Sequence, residues 1–185
     1  MKLGFEIAYG LVLLALIGFI VRAFRQDRKI TKNIKWVLGI ACISVASSIL
    51  QLMAQSGIVA DIAFGVFFVS LDWLLAALVR FADEYGSFGL SRYINPYIII
   101  AVCWVDTVQM LLNPLFHHAY RMRLVMREDG AYWVYDALQP FQIHLIWCYV
   151  LVAVMAVILI HKSVHVPLMY CAKYVNILLI LSTVI

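Results

Sequence analysis

The chain has 185 residues, of which 65% are hydrophobic and 13% charged, and its formal net charge is +4. A soluble domain carries about twice that charged fraction, so the composition excludes an ordinary soluble protein. In lipid, every backbone polar group must find a partner within the protein, which leaves helices or closed barrels as spanning structures. The apolar runs are continuous rather than alternating, and they predict an all-α polytopic membrane helix bundle.

Six apolar runs are each long enough for a helix to cross a bilayer, which takes roughly 20 residues. In chain order we predict spans at Gly4–Val21, Trp36–Met53, Gly57–Val79, Tyr93–Leu112, Phe141–Ile160 and Val166–Ile185. The first run lacks the small-residue cleavage site of a secretory signal peptide, so we expect it to remain as a span. The last run ends at Ile185 with no flanking charge, and we expect a seventh span and a cytoplasmic output domain to follow, both absent from this chain.

Basic residues set the predicted orientation, since cytoplasmic loops of membrane proteins are rich in Lys and Arg. The connections after the first, third and fifth spans hold Arg22, Arg25, Arg28, Lys29, Lys32, Lys35, Arg80, Arg92 and Lys162. We therefore place these connections in the cytoplasm and the N-terminus outside. The positive charge then reflects topology and contact with anionic lipid, and we expect no nucleic-acid partner.

The longest predicted connection, residues 113–140, lies on the outer side in this orientation. Asp129-Gly130 stands between two β-prone runs, which is typical of a hairpin turn. We therefore predict an extracytoplasmic β-hairpin over the mouth of the bundle. The alternative is a disordered loop, and the aromatic residues that follow the turn, Tyr132, Trp133 and Tyr135, argue against it.

Polar and ionisable side chains lie at membrane depth in the second to fifth spans, where they are expensive and usually face the bundle interior. Helical spacing puts Asp61 and Asp72 on one face, and His144 and Cys148 on another. The candidate ligand-binding residues are Gln51, Gln55, Asp61, Asp72, Asp106, Gln109, Asn113, His117, His118 and His144. Most fall in the outer half of the membrane and predict a polar cavity that opens outward beneath the hairpin. Interhelical hydrogen bonding is the alternative, which we favour for Gln51 and the serines of the second span.

We expect no metal, no cofactor and no catalytic residue. His117, His118 and His144, with Asp106 nearby, are residue types that bind zinc, but their spacing matches no known zinc motif. The cysteines are Cys42, Cys103, Cys148 and Cys171. All lie in apolar spans and outside any CxxC pair, so we expect them to be free thiols. The sequence has no phosphate-binding loop, nucleophile elbow or HExxH motif.

Three segments resemble the N-terminal seven-transmembrane sensor domain of bacterial histidine kinases and diguanylate cyclases. Asn113–His118, with the sequence Asn-Pro-Leu-Phe-His-His, is similar to that family's Asn-Pro-Leu-His-His signature. Leu74–Gly86 resembles its third helix, which closes on Glu-Tyr-x-Gly. Leu138–Tyr149 resembles its Gly-Pro-Leu-Phe-Trp-Leu-His-x-x-x-x-Tyr segment, from which Gln139 and Gln142 depart. The order of the segments and the loop between the last two also agree.

The resemblance implies a sensory input module in the bacterial cytoplasmic membrane that is not itself an enzyme. It would bind a small extracytoplasmic signal and control a histidine kinase or diguanylate cyclase, as a homodimer of the full-length protein. Two alternatives stay open. A small transporter or proton-coupled carrier would use the intramembrane Asp72 and Asp106, although the sequence shows no internal repeat. A membrane enzyme or redox protein would use His117, His118 and His144.

Overall fold

The computed structural model describes residues 2–25, 29–127 and 130–165. Over these ranges the chain forms long helices at α1 (Lys2–Phe24), α2 (Lys29–Met53), α3 (Gly57–Gly86), α4 (Pro96–Phe116) and α5 (Gln139–Val164). Its strands are β1 (Tyr120–Arg127) and β2 (Gly130–Ala137), and a 3-10 turn at Leu90–Arg92 precedes α4. The predicted sixth span, Val166–Ile185, lies outside the described residues.

All five helices are long and apolar enough to cross a membrane. Their outward faces are apolar as well: Leu14 in α1 is 67% exposed and Val105 in α4 is 70% exposed. Apolar surface of this extent is unfavourable in water and suits a lipid environment. The prediction of a helical membrane bundle agrees with the structure for the part of the chain that it describes.

The apolar runs underestimate the lengths of the helices, because polar flanking residues continue the same backbone hydrogen bonding. α2 begins at Lys29 rather than Trp36, and α3 continues past Val79 to Gly86. α3 closes at Ser87, which adopts the left-handed conformation with φ 52° and donates its N–H to the carbonyl of Asp83.

The predicted start of the fourth span at Tyr93 is wrong. Tyr93 only closes the 3-10 turn, and α4 begins at Pro96, a residue suited to the first helical position because it has no N–H to satisfy. Asn95 caps the helix, since its side-chain oxygen accepts from the N–H of Tyr97 at 3.0 Å. At the other end α4 runs through Pro114 and closes at His117, which has φ 47°.

α3 is the central helix and packs against α2, α4 and α5, whereas α1 packs against α2. A Cβ atom at Gly65 would lie 3.3 Å from the carbonyl oxygen of Met110 and 3.4 Å from the hydroxyl of Tyr120. Glycine therefore permits the close approach of α3 and α4, as small residues do between membrane helices. Towards the far end of α3, an apolar core that includes Val79 and Ile158 joins α3 to α5.

The predicted β-hairpin is confirmed. β1 and β2 pair antiparallel, with Tyr120 opposite Ala137 and Arg127 opposite Gly130. Gly130 has φ 136°, a conformation that glycine adopts without steric cost. The Trp133 ring lies within 3.0 Å of the position that a Cβ on Gly57 would take, so the hairpin covers the α2–α3 turn. Its location outside the cytoplasm stays a prediction.

Candidate functional site

Most of the predicted site residues lie in two buried polar groups, one next to the hairpin and one near the middle of α3 and α4. The first group, which we call the hairpin clamp, consists of Asp61, Asn113, His117, Ala119 and Tyr120. The second, which we call the ionisable cluster, consists of Asp72, Asp106, His144 and Cys148. The clamp joins the hairpin to α3 and α4, and the cluster joins α3, α4 and α5 to one another.

Asn113 is the centre of the hairpin clamp and is completely buried. Its amide nitrogen donates to Asp61 Oδ1 at 3.1 Å and to the carbonyl of Tyr120 at 3.0 Å. Its amide oxygen accepts from the N–H of Ala119 at 2.9 Å and of Tyr120 at 3.1 Å. These four bonds use the whole hydrogen-bonding capacity of a carboxamide, so the side chain fixes how the hairpin leaves α4.

Tyr120 and His117 complete the clamp around Asp61. The buried Tyr120 hydroxyl donates to the main-chain carbonyl of Asp61 at 3.0 Å. Burial, and then the charge of the nearby Asp61, raises the pKa of Tyr120 above its ordinary value, so the hydroxyl stays a donor. His117 Nδ1 lies 3.4 Å from Asp61 Oδ2, and its side chain is 57% exposed. His117 therefore connects the buried carboxylate to the surface.

The ionisable cluster is centred on His144, which is completely buried on α5. Its Nδ1 lies 2.8 Å from Asp106 Oδ2 on α4 and 3.6 Å from Asp72 Oδ1 on α3. One turn further along α5, Cys148 donates its S–H to Asp72 Oδ1 at 3.1 Å. The Cys148 sulfur is also 3.7 Å from His144 Nε2. Two carboxylates, one imidazole and one thiol thus meet where three helices converge.

The carboxylates of the cluster are only partly satisfied by the residues that the structure describes. Among the described residues, no other side chain donates a hydrogen bond to the buried Asp72 Oδ2 or Asp106 Oδ1, although the two carboxyl groups can share a proton. Removing charged groups from water costs several kcal/mol each unless they are paired and hydrogen-bonded. A buried group with unsatisfied carboxylate oxygens is therefore suited to bind a cation or to exchange protons.

Aromatic rings lie between the clamp and the cluster. We call Phe68, Tyr135 and Phe141 the aromatic layer, and the ring of the clamp residue Tyr120 packs against all three. The rings of Phe68 and Phe141 lie 5.4 Å and 5.3 Å from the His144 ring, centroid to centroid. In the described part of the chain, six of the ten predicted residues thus pack in two groups rather than lining one open polar cavity. Their role in ligand binding stays a prediction.

Two of the predicted residues form interhelical hydrogen bonds instead. Gln51 of α2 donates to the carbonyl of Ala63 in α3 at 3.4 Å, which is the role we favoured for it. Gln109 of α4 donates to the carbonyl of Pro140 at the start of α5 at 2.9 Å. Gln55 is exposed beside the α2–α3 turn.

We expected the serines of α2 to form hydrogen bonds between helices. The hydroxyls of Ser47 and Ser48 instead form them within α2. Ser47 and Ser48 both donate to the carbonyl of Ser44, at 2.8 Å and 3.0 Å, within their own helix. A short hydroxyl reaches the carbonyl one turn back more readily than it reaches a neighbouring helix. A cavity of about 430 Å³ lies nearby between α2 and α3, and its apolar lining, which includes Leu50 and Ile62, contains no member of either polar group.

The histidines considered for zinc do not meet. His117 contacts Asp61 in the clamp, while His144 lies beyond the aromatic layer with Asp106. His118 is half-buried, and none of the residues that the structure describes forms a hydrogen bond with its Nδ1. Only the expected proximity of His144 and Asp106 is found.

Sequence reasoning missed the polar role of Cys148, which we took for a small apolar residue. Its spacing of four residues from His144 placed both on one face of α5, and that spacing was the available signal. The contribution of Tyr120 to the clamp was also missed, because its partner Asp61 is 59 positions away in the chain.

These features define a helical protein suited to a membrane, in which a buried carboxylate–imidazole–thiol group lies beneath a β-hairpin. Comparison of the chain with models of known protein families and with curated proteins finds no match.

Proposed function

We propose that the chain is a membrane-embedded sensory input module. A small signal from outside the cytoplasm changes the arrangement of the helices, and this change controls a cytoplasmic histidine kinase or diguanylate cyclase. The observation that carries the proposal is a continuous series of contacts from the hairpin to the ionisable cluster at the junction of three helices.

The contacts begin at the hairpin clamp. Tyr120 of β1 packs edge-to-face on Phe68 of α3, with ring centroids 5.4 Å apart. Phe68 in turn packs edge-to-face on His144 of α5. A displacement of the hairpin therefore reaches the imidazole through rigid rings, and tightly packed interiors transmit such displacements.

A signal also needs an element with two arrangements, because contiguity alone does not establish coupling. The ionisable cluster offers one. His144 Nδ1 lies 2.8 Å from Asp106, which is hydrogen-bond distance, and 3.6 Å from Asp72. The second distance is longer by 0.8 Å, the difference between 3.6 Å and 2.8 Å. A small shift of α5 would move the hydrogen bond of His144 from Asp106 to Asp72. A ligand that favours one arrangement shifts the equilibrium by its difference in affinity for the two.

The proposed orientation has the N-terminus and the hairpin outside the bacterial cytoplasmic membrane. Arg22 lies in the last turn of α1, Arg92 precedes α4 and Lys162 lies in the last turn of α5, all at the end of the bundle opposite the hairpin. Excess Lys and Arg on one side is typical of the cytoplasmic face. Trypsin added to intact and to lysed spheroplasts tests this, since hairpin arginines that are cut only after lysis would face the cytoplasm.

The segments that carry the family resemblance supply central residues of both polar groups. Asn113, from the Asn-Pro-Leu-Phe-His-His segment, centres the clamp, and His144, from the Leu138–Tyr149 segment, centres the cluster. This supports the proposal that the chain is similar to seven-transmembrane sensor domains. We further propose that the full-length protein acts as a homodimer.

The substitution Asp106→Asn in the complete protein tests the function. It removes the charge nearest to His144 and should change the basal output by about fivefold or more, which is the lower end of typical coupling between sites. The output is measured as autophosphorylation or as cyclic-dinucleotide synthesis. The matched control is Asp136→Asn, because Asp136 is an exposed partner of Arg123 on the hairpin. An unchanged basal output in Asp106→Asn, at normal expression, would rule out the cluster as the switch.

A proton-coupled carrier is the second candidate, and the ionisable cluster itself favours it, because chains of Asp and His residues at membrane depth relay protons in pumps and transporters. The chain reconstituted in vesicles with an internal pH-sensitive dye separates the two functions. Proton flux that disappears in Asp106→Asn would replace the sensory proposal with the carrier.

A further inference from the structure

We propose that Asp72, His144 and Cys148 bind a zinc ion inside the bundle, and that Asp106 is a positioning residue for His144. This inference does not depend on the sensory function. It departs from the expectation of no metal site, because the sequence did not show that Asp72 of α3 meets His144 and Cys148 of α5.

The ligand atoms are already spaced for one ion. One ligand atom from each of Asp72, His144 and Cys148 lies within 4.8 Å of the others. The Cys148 sulfur is 3.1 Å from Asp72 Oδ1 and 3.7 Å from His144 Nε2. Ligands at normal zinc distances in a tetrahedron stand about 3.5 Å apart, a value between these two. Small side-chain movements therefore suffice to admit the ion.

Asp106 prepares His144 for this role. A neutral imidazole that donates from Nδ1 to Asp106 Oδ2, at 2.8 Å, presents a lone pair at Nε2. Nε2 is the nitrogen that faces the Cys148 sulfur. A carboxylate that holds the second nitrogen of a metal-binding histidine is the usual arrangement around zinc.

The buried carboxylate oxygens provide a second observation, because their charge must be offset by a cation or by a proton shared between the two carboxyl groups. Asp72 is 0% exposed and Asp106 4% exposed, yet no other described residue donates a hydrogen bond to Oδ2 of the first or Oδ1 of the second. A divalent ion offsets the charge of these carboxylates, and the Cys148 thiol releases its proton to become a ligand.

The donor types select the metal. Thiolate and imidazole together suit zinc, whereas magnesium and calcium prefer oxygen ligands alone. Three protein ligands leave the fourth tetrahedral position for another donor. Since His144 and Asp72 are completely buried and Phe68 and Phe141 pack on the imidazole, the ion is a resident one that ties α3 to α5.

Cobalt(II), a spectroscopic substitute for zinc, tests the site in the chain purified in detergent micelles. The wild type should bind about one cobalt ion per chain, with a thiolate-to-metal charge-transfer absorption. Cys148→Ser should lose this absorption. Cys42→Ser is the matched control, because Cys42 is a free cysteine on α2, a helix that supplies no residue to the cluster. Absence of stoichiometric binding by the wild type, or equal loss in both variants, would overturn the proposal.

Asp106→Asn provides a second test that leaves every ligand in place. It should weaken cobalt affinity by about 10- to 100-fold while the charge-transfer absorption persists at saturation, as expected for loss of a residue that orients a ligand. An unchanged affinity would remove Asp106 from the site. These readouts need no signalling output, so a protein that binds cobalt through Cys148 but fails the basal-output test loses only the sensory proposal.

Discussion

Replacing Asn113 by alanine should detach the hairpin from the bundle and lower the free energy of unfolding by about 3 kcal/mol. Each buried polar group left without a partner costs about 1–3 kcal/mol, and Asn113 satisfies groups on Asp61, Ala119 and Tyr120. Unfolding by SDS in detergent micelles measures the loss. Asn95→Ala is the matched control, because it removes one exposed helix-cap bond and should cost only about 1 kcal/mol.

The same variant should change the susceptibility of the hairpin to protease. Arg121 and Arg123 are exposed on β1, but a paired strand is a poor substrate for trypsin. In spheroplasts, Asn113→Ala should therefore be cut at these arginines faster than wild type. The prediction fails if Asn113→Ala is as stable as Asn95→Ala and is cleaved at the same rate as wild type. Together these two results would show that Asn113 does not hold the hairpin. Cleavage only after lysis would reverse the proposed orientation.

Replacing His144 by phenylalanine should have the largest effect on stability, a loss of about 3–5 kcal/mol in the metal-free protein, because it removes the hydrogen-bond partner of the buried Asp106 and leaves that carboxylate uncompensated. Phenylalanine retains ring packing against Phe68 and Phe141, so the loss reports on the carboxylates of the cluster. SDS unfolding of chelator-treated protein is the measurement.

Two further variants make this result specific. His161→Phe is the matched control: His161 is exposed on the same helix and packs on Phe88, so its replacement should be nearly neutral. Adding Asp72→Asn to His144→Phe should recover part of the stability, because it removes one of the uncompensated carboxylates. Equal stability of the two histidine variants would mean that the cluster makes no net contribution.

Much of the fold follows from local patterns. Continuous apolar runs predicted the five described helices, and Asp129-Gly130 between β-prone runs predicted the hairpin. Helix ends were less accurate, because hydropathy does not register where hydrogen bonding stops. The α3 terminus depends on the left-handed conformation of Ser87 and its main-chain hydrogen bond to Asp83. The α4 start depends on the side-chain cap of Asn95.

The site was predictable only as a set of residues. Helical spacing showed that His144 and Cys148 share a face, but it could not show which other helix that face meets. Asp72 lies 76 positions before Cys148, and only tertiary packing brings them together. The sequence predicted Asn113 as part of an open pocket. In the structure its amide oxygen accepts hydrogen bonds from the main-chain N–H groups of Ala119 and Tyr120, where the hairpin begins.

Spin labels at the ends of α3 and α5 that lie opposite the hairpin would show whether the cluster sets the helix arrangement. Glu84 and Val164 are both exposed there and accept cysteine substitution for labelling. Pulsed electron double resonance should give two populated distances in wild type, and Asp106→Asn should change their proportions while Asp136→Asn does not. A single distance that is identical in all three proteins would mean that the cluster is structural and that the bundle has no switch at His144.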